Sequence, residues 1–177
     1  MEFDYKKSLI AKYDAFSVEQ NAQKKKFLQS EVINALNGIA SLDADDFYMW
    51  GLTYYMTHEE PEVRLKKALD RFLQACQIDP EHMMACLYTA HGYHDMGDYK
   101  SALQYYLSVN RQEMKEFQVW RYVKLIEQIG FCYHQLGDEP EGRRYFKKVL
   151  AWYRKLPMDE RVVPTELLQC LDPTDPI

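Results

Sequence analysis

Glycine is scarce in this sequence, and no two glycines are closer than five positions. Only seven of the 177 residues are glycine, whereas loops that cradle phosphate need several glycines within a few positions. The motifs GxGxxG, GxxxxGK[ST], HExxH and GxSxG do not occur. These absences argue against the common nucleotide sites, zinc proteases and serine hydrolases. We therefore expect a protein that is not an enzyme, with no catalytic residue and no cofactor.

Cysteine is too sparse for a disulfide framework or a zinc site. The four cysteines, at positions 76, 86, 132 and 170, form no CxxC or CxxxH pairing, and we interpret them as buried free thiols. Three histidines, His91, His94 and His134, are the remaining candidates for a metal. Helices of neighbouring repeats pack about 10 Å apart, so we interpret these side chains as polar tips in a wet groove and expect no metal.

Long apolar runs are also missing. No segment reaches the roughly 18 apolar residues of a membrane span, and the first residues show no apolar signal-peptide core. The net charge of −5 argues against nucleic acid as the main partner. We therefore expect a cytoplasmic protein with neither a membrane nor a nucleic-acid partner.

Apolar residues recur at helical spacing along most of the chain, which predicts an all-α fold. Ser17, with Gln20 three residues later, resembles the cap of a second helix that runs to Leu42. For the segment 111–116, the sequence is compatible both with a loop and with an extension of the preceding helix. The other predicted helices span approximately 3–15, 45–56, 62–78, 82–96, 99–109 and 118–136, and a last helix has Pro140 near its start and ends near 156.

Two turns, Gly97-Asp98 and Gly137-Asp138, are forty residues apart and share their surroundings. Each turn glycine has a small residue seven positions before it and another five positions after it. It also has a tyrosine four positions before it and an aromatic residue nine positions after it. Small residues let two helices approach closely, and an aromatic ring fills the gap one turn away. The matching positions are Ala90 and Gly130, Tyr93 and Tyr133, Ala102 and Gly142, Tyr106 and Phe146, with a third copy at Gly51, Tyr54, Ala68, Phe72, Ala75 and Pro80.

This series resembles the tetratricopeptide repeat (TPR), a family of 34-residue helix pairs. The resemblance implies an α-solenoid of antiparallel helix pairs in a right-handed superhelix, with about three repeats and an N-terminal helix pair. The expected division is 1–43 as a helical cap or degenerate repeat, 44–156 as three repeats (44–80, 82–116 and 118–156), and 157–177 as a proline-rich tail.

The resemblance also implies a concave groove lined by the first helix of each pair, where a protein or peptide binds. A second possibility is that several of these side chains are simply core. Position by position, the candidate groove residues are Tyr48, Leu52, Tyr55, Met84, Leu87, His91, His94, Asp95, Lys124, Glu127, Phe131 and His134.

Three functional interpretations follow. The first is an adaptor or chaperone-like module that binds a partner protein. The lysine and asparagine clamp of heat-shock TPR domains is missing, since Lys124 is the only lysine among the groove positions. Size, acidity and repeat number are instead similar to the type III secretion TPR chaperones. The second is a self-assembling scaffold, such as a homodimer, and the third is an enzyme with an unrecognised site.

The proline-rich tail leaves two alternatives open. Residues 162–177 either fold back into a groove, their own or a neighbour's, or form an unstructured terminus.

Overall fold

The computed structural model describes residues 2–157 and 170–171. Within them the chain forms nine α-helices and no strand, so the all-α prediction is confirmed. The chain divides into two compact units, unit 1 (Met1–Met96) and unit 2 (Gly97–Ile177). Unit 1 contains α1 (Glu2–Val18), α2 (Ala22–Asn37), α3 (Ala44–Tyr55), α4 (Pro61–Ile78) and α5 (Met83–Asp95), and unit 2 contains α6 (Tyr99–Ser108), α7 (Arg111–Phe117), α8 (Val119–Gln135) and α9 (Glu139–Tyr153).

Consecutive helices pack as antiparallel neighbours inside each unit. In unit 1, α1 packs on α2, and α4 packs on both α3 and α5; in unit 2, α8 packs on α9 and also contacts α6 and α7. Every helix in the described part of the chain is too short or too polar to cross a bilayer. The predicted tail at 162–177 lies outside the described residues, apart from Cys170 and Leu171.

The helix starts follow local capping chemistry. Asp43 and Asp46 form a capping box on α3, in which each carboxylate accepts a hydrogen bond from the other residue's backbone N–H, at 2.9 and 3.1 Å. Pro61 stands in the first turn of α4, where its missing N–H costs no helical bond. Asp98 and Asp138 cap α6 and α9.

The two predicted glycine turns are confirmed. Gly97 has φ +77° and Gly137 has φ +81°, a left-handed backbone conformation that residues with a Cβ atom rarely adopt. In the second turn the N–H of Asp138 returns to the carbonyl of Tyr133 at 2.9 Å. Each glycine therefore stops one helix, and the aspartate after it starts the next.

The prediction that Ser17 caps the second helix is wrong. Ser17 lies in the last turn of α1, and its hydroxyl donates to the carbonyl of Asp14 at 2.9 Å. The cap is Asn21, whose side-chain oxygen accepts from the N–H of Lys24 at 3.0 Å. The helix also ends at Asn37, before Gly38, and not at Leu42. Asparagine is as good a cap as serine, so local sequence did not decide between them.

The open segment at 111–116 forms a separate short helix, α7. Asn110 caps it by accepting hydrogen bonds from the N–H groups of Gln112 and Glu113, at 3.1 and 3.2 Å. Met114 on this helix is fully buried. An otherwise polar segment is therefore helical because it has a cap at one end and one apolar anchor in its middle.

Small residues bring the helices close, as the repeat pattern predicts. In unit 1, a Cβ atom on Gly51 of α3 would lie 2.4 Å from the ring of Phe72 in α4. In unit 2, a Cβ atom on Gly130 of α8 would lie 2.7 Å from the ring of Phe146 in α9, and one on Gly142 would lie 3.1 Å from the carbonyl oxygen of Gly130. These glycines allow helix separations that an added methyl group would block.

The N-terminal pair packs on α3 through a core of its own. Its fully buried side chains come from α1, α2 and α3, and partly buried apolar side chains surround them. The members of this core are Leu9, Phe16, Val32, Leu36 and Trp50. The first two helices therefore bury one side of α3, through Trp50, against apolar side chains of their own.

Candidate binding surfaces

Two helical stripes in unit 1 carry half of the twelve predicted groove residues. On α3, Tyr48, Leu52 and Tyr55 recur at i, i+4 and i+7 and so share one face. On α5, the stripe that begins at Met84 continues to His91 and Asp95, because i+7 and i+11 lie on the same side of a helix. The helices α3 and α5 are in contact, and their stripes meet in a cluster of rings.

Tyr88 of α5 lies at the centre of this cluster, although it is not among the predicted groove residues. Its ring centroid is 5.7 Å from those of Tyr48 and Tyr55, and 5.6 Å from those of Phe72 and His91. The plane of the Tyr88 ring is at 88° to that of Tyr55 and at 87° to that of His91, the edge-to-face geometry that aromatic rings favour. We call the half-buried members Tyr48, Tyr55, Tyr88 and His91 the aromatic patch.

A short hydrogen bond fixes one edge of the aromatic patch. The hydroxyl of Tyr55 donates to Oδ2 of Asp95 at 2.6 Å. Burial, and then this bond to a carboxylate, raise the pKa of Tyr55 well above its ordinary value. Arg64 also donates to the backbone carbonyl of Tyr55 at 2.8 Å, and its guanidinium lies 5.7 Å from the ring centroid. Tyr55 is therefore held through its hydroxyl, its ring and its backbone.

Asp95 is a carboxylate that its neighbours keep ionised. Burial acts to raise its pKa, but the nearby imidazole of His94 and the hydrogen bond from Tyr55 outweigh burial, and the pKa of Asp95 lies below its usual value. Nδ1 of His94 is 3.8 Å from Oδ1 of Asp95. The side chain of Asp95 is still partly exposed, so this negative charge lies beside the aromatic patch and within reach of a ligand.

An apolar recess lies between α1 and α3 and includes two of the predicted residues. It encloses about 300 Å³, within the range of sites that hold a ligand side chain. Burial raises the pKa of Tyr13, on its wall, to about 12, so this hydroxyl stays neutral. The lining consists of Lys6, Leu9, Ile10, Tyr13, Asp45, Asp46, Tyr48, Met49 and Leu52.

The remaining predicted residues of unit 1 differ in how far they are buried. Leu87 is almost fully buried, and Leu52 is accessible only along the wall of the apolar recess. Met84 and His94 are half-buried. Leu87 therefore contributes to the core, and the surface that a ligand can reach is formed by its neighbours on the adjacent stripe.

The predicted residues of unit 2 pair with neighbours in that unit. Glu127 is buried, and its Oε1 lies 2.6 Å from the ammonium nitrogen of Lys124, three residues earlier on α8. The ring of Phe131 meets that of Tyr99 at 5.7 Å and 74°, and His134 lies 6.5 Å from Phe146. The pairing of Lys124 with Glu127 neutralises both charges, so this stripe offers less charge to a ligand than its sequence suggests.

The thiols behave as core residues. Cys76 and Cys86 lie with their sulfur atoms 3.8 Å apart, and none of the four cysteines forms a disulfide within the described residues. Burial raises the pKa of Cys132 to about 12, and the hydrogen bond with Cys86, followed by burial, raises that of Cys76. No three His, Cys, Asp or Glu side chains of the described chain are grouped as metal ligands would be.

The architecture is shared with solved structures. No protein-family model and no curated protein matches the sequence. The fold is similar to two crystal structures of MamA, a TPR-containing protein. The first has a TM-score of 0.57 and 19% sequence identity, and the match covers 87% of this chain and 91% of the MamA chain. The second has a TM-score of 0.55 and 23% identity, and the match covers 90% of this chain and 85% of the MamA chain. At such identities the likeness establishes the fold alone, and the helix-pair architecture that the repeats predict is confirmed.

Proposed function

We propose that this protein is a non-catalytic, cytoplasmic interaction module that binds a peptide segment of another protein on the aromatic patch of unit 1. The observation that carries this proposal is the way in which the rings are fixed before any ligand arrives. Tyr55 is bonded to Asp95 at 2.6 Å, and Tyr88 is wedged edge-on against it. Side chains that are already ordered lose little conformational entropy on binding.

The chemistry of the patch defines the segment that fits it. The apolar recess beside Tyr48 accepts an apolar side chain. The exposed part of the Asp95 carboxylate and the faces of the tyrosine rings both attract a cation. We therefore expect a segment in which an aliphatic or aromatic residue lies close to a lysine or arginine. Tyrosine and histidine have apolar bodies and polar tips, a composition enriched in protein interfaces.

The similarity to MamA supports an interaction role only through the fold, since helix-pair arrays present extended surfaces to partners. An adaptor and a chaperone-like protein are both compatible with such a surface. The partner itself would be identified by the sequence that the patch selects.

The proposal is tested by selecting peptides from a random displayed library on the purified full chain. We expect enriched peptides that combine an apolar residue with a basic one, and affinities in the micromolar range that fluorescence anisotropy can measure. The Asp95→Asn variant keeps the shape of the side chain but removes its charge, and should weaken binding about tenfold. Tyr88→Leu keeps apolar volume but removes the ring, and should weaken binding at least as much.

A matched control replaces an exposed aromatic outside the patch. Phe27 on α2 is 63% exposed, so Phe27→Leu should leave binding unchanged. Circular dichroism must show the same helical content in all variants. Enriched peptides that bind Asp95→Asn and Tyr88→Leu as tightly as the parent protein would place the binding surface elsewhere and refute the proposal.

A further inference from the structure

A groove in unit 2 lies on a stripe of α8 different from the one that carries Lys124 and Phe131. It runs between α8 and α9, beside α7, and encloses about 380 Å³. Its α8 wall begins at Val119 and continues at i+3, i+4 and i+7, which is one face of a helix. The walls are Val119, Tyr122, Val123 and Ile126 from α8 and Val149, Ala151 and Trp152 from α9, and the basic residues are Lys115, Lys148 and Lys155.

The three lysines of this groove are exposed. Among the described residues, no carboxylate lies within ion-pairing distance of Lys115, Lys148 or Lys155. Lys115 lies 5.9 Å from the ring centroid of Tyr122. The carboxylate of Glu116, next to Lys115 in sequence, accepts a hydrogen bond from Gln112 at 2.6 Å. In a chain of net charge −5, this groove is therefore a local concentration of positive charge.

Exposed apolar side chains continue the groove at the junction of α7 and α8. Phe117, Val119 and Trp120 are 59%, 46% and 53% exposed. Single exposed apolar residues are ordinary, but three within four positions, beside an apolar groove, indicate an interaction surface. We call the groove together with Phe117 and Trp120 the α7–α9 surface.

We propose that the α7–α9 surface binds an acidic, amphipathic segment of a partner protein. Apolar side chains of that segment enter the groove over Val123 and Trp152, and its carboxylates meet the three lysines. The removal of apolar area from water supplies affinity, and the charges at the edge accelerate association and exclude basic segments.

Two other occupants fit the surface less well. A second copy of this chain would form a two-fold dimer by apposing the same patch, which brings the same lysines against each other. Single-stranded nucleic acid needs ring faces on which bases stack and a longer basic track. The rings of Tyr122 and Trp152 line the groove beside three valines and Ile126, but three lysines form a short basic track that contacts few phosphates. A peptide with apolar and acidic residues matches both halves of the surface.

The experiment measures binding of labelled peptides to the full-length protein by fluorescence anisotropy. The acidic probe is a helix-forming peptide of about 14 residues, with leucine at i, i+3, i+4 and i+7 and glutamate at most other positions. A second probe has lysine in place of every glutamate, and a third has serine in place of every leucine. We expect the acidic probe to bind, and both other probes to bind at least tenfold more weakly.

Protein variants locate the binding. The triple substitution Lys115→Gln, Lys148→Gln and Lys155→Gln should weaken the acidic probe about tenfold or more, and should flatten its dependence on salt concentration. A matched triple, Lys66→Gln, Lys100→Gln and Lys147→Gln, changes the net charge equally at exposed lysines outside the groove and should have little effect. All six positions are on the surface, so both variants should fold.

Several outcomes overturn this inference. One is equal binding of the acidic and basic probes. Another is an equal loss of affinity in the two triple variants, which would show that net charge alone attracts the peptide. A labelled oligothymidylate that binds more tightly than the acidic probe and competes with it would assign the surface to nucleic acid. A dimer in light scattering that the groove variant abolishes would assign it to self-association. These results leave the aromatic patch of unit 1 untouched, because that surface is tested by its own variants.

Discussion

In unit 1, Gly51 of α3 lies under the ring of Phe72 in α4; in unit 2, Gly130 of α8 lies under the ring of Phe146 in α9. The two helix pairs thus use the same contact to set their separation. Their surfaces differ: unit 1 fixes Tyr55 against Asp95, whereas unit 2 pairs Lys124 with Glu127 and has a separate groove whose lysines meet no carboxylate of the described residues.

The difference teaches that the repeat positions and the surface positions are independent. The small and aromatic positions are constrained because each must fit the facing helix. A surface position one or two residues away is constrained only by its own neighbours and by a ligand. Repeat patterns therefore predict the frame of a helix-pair array well and its ligand poorly.

The largest effect should come from removing the aromatic ring of the shared contact. Phe146 is almost fully buried, as is Phe72. Phe146→Ala and Phe72→Ala should each lower the free energy of unfolding by about 3–5 kcal/mol, measured by urea denaturation followed by circular dichroism. A loss below about 1 kcal/mol in one unit only would show that the two contacts are not equivalent.

A smaller loss in the free energy of unfolding is expected when a methyl group is added to the glycine on the other side of that contact. In Gly130→Ala the new Cβ would lie 2.7 Å from the ring of Phe146, so the ring must shift, at a cost of about 1–3 kcal/mol. Gly92→Ala is the control, because its Cβ would be 3.4 Å from Leu69; it should be neutral or should gain up to about 1 kcal/mol from helix propensity.

A double-mutant cycle sharpens this comparison. Gly130→Ala should cost much less in the Phe146→Ala background, where the ring that it meets is gone. Additive losses would indicate that the cost comes from another neighbour, such as Tyr145, whose Cβ lies 3.0 Å from the added atom.

The two kinds of position also explain which sequence predictions succeeded. Gly97 and Gly137 are visible locally, because a left-handed residue followed by an aspartate cap is a short-range signal. The prediction of a cap at Ser17 failed because Asn21 offers the same capping chemistry four residues later, and the packing of α1 decides between the two residues. Local signals of this kind place helix ends to within a few residues.

The candidate surfaces depended more on tertiary structure. Tyr88 lies on the stripe of Met84, His91 and Asp95, and strict i, i+4, i+7 counting from Met84 would have included it. The pairing of Lys124 with Glu127 is an i,i+3 contact within α8, which counting along the helix could have found. The burial of Leu87 and of Glu127 instead follows from the contacts of one helix with others. Such contacts join residues that are distant in sequence, and no short pattern encodes them.

Loss of a helix cap should have an effect of about 1 kcal/mol. Nδ1 of His82 accepts a hydrogen bond from the N–H of Ala85 at 3.1 Å, and its Nε2 lies 3.0 Å from Oδ1 of Asp45. His82→Ala should lower the free energy of unfolding by about 1 kcal/mol, whereas His82→Asn, which can also cap, should lose a few tenths. In unit 2, Asp98→Ala removes the corresponding cap of α6; an unequal loss would show that Asp45 adds to the effect of His82.

The smallest effect at neutral pH concerns the hydroxyl that fixes the aromatic patch. Tyr55→Phe keeps the ring and removes the hydrogen bond to Asp95, at a cost of about 0.5–1.5 kcal/mol. Tyr54→Phe on the same helix is the control, because the Tyr54 hydroxyl makes no hydrogen bond in the described part of the chain. Urea denaturation at about pH 7 should separate the two variants.

The pH dependence of Tyr55→Phe gives the sharper test, because the two partners shift in opposite directions. The pKa of Asp95 is lowered by folding, so its contribution is present above the unfolded value of 3.8 and is lost as the pH falls through the folded value. The pKa of Tyr55 is raised, so its contribution is present below the unfolded value of 10.0 and is lost as the pH rises. The difference between Tyr55→Phe and the parent protein should therefore be largest between about pH 5 and pH 9 and should shrink on both sides. A difference that keeps the same size below about pH 5 and above about pH 9 would mean that the Tyr55 hydroxyl contributes through packing and that the bond to Asp95 does not order the patch.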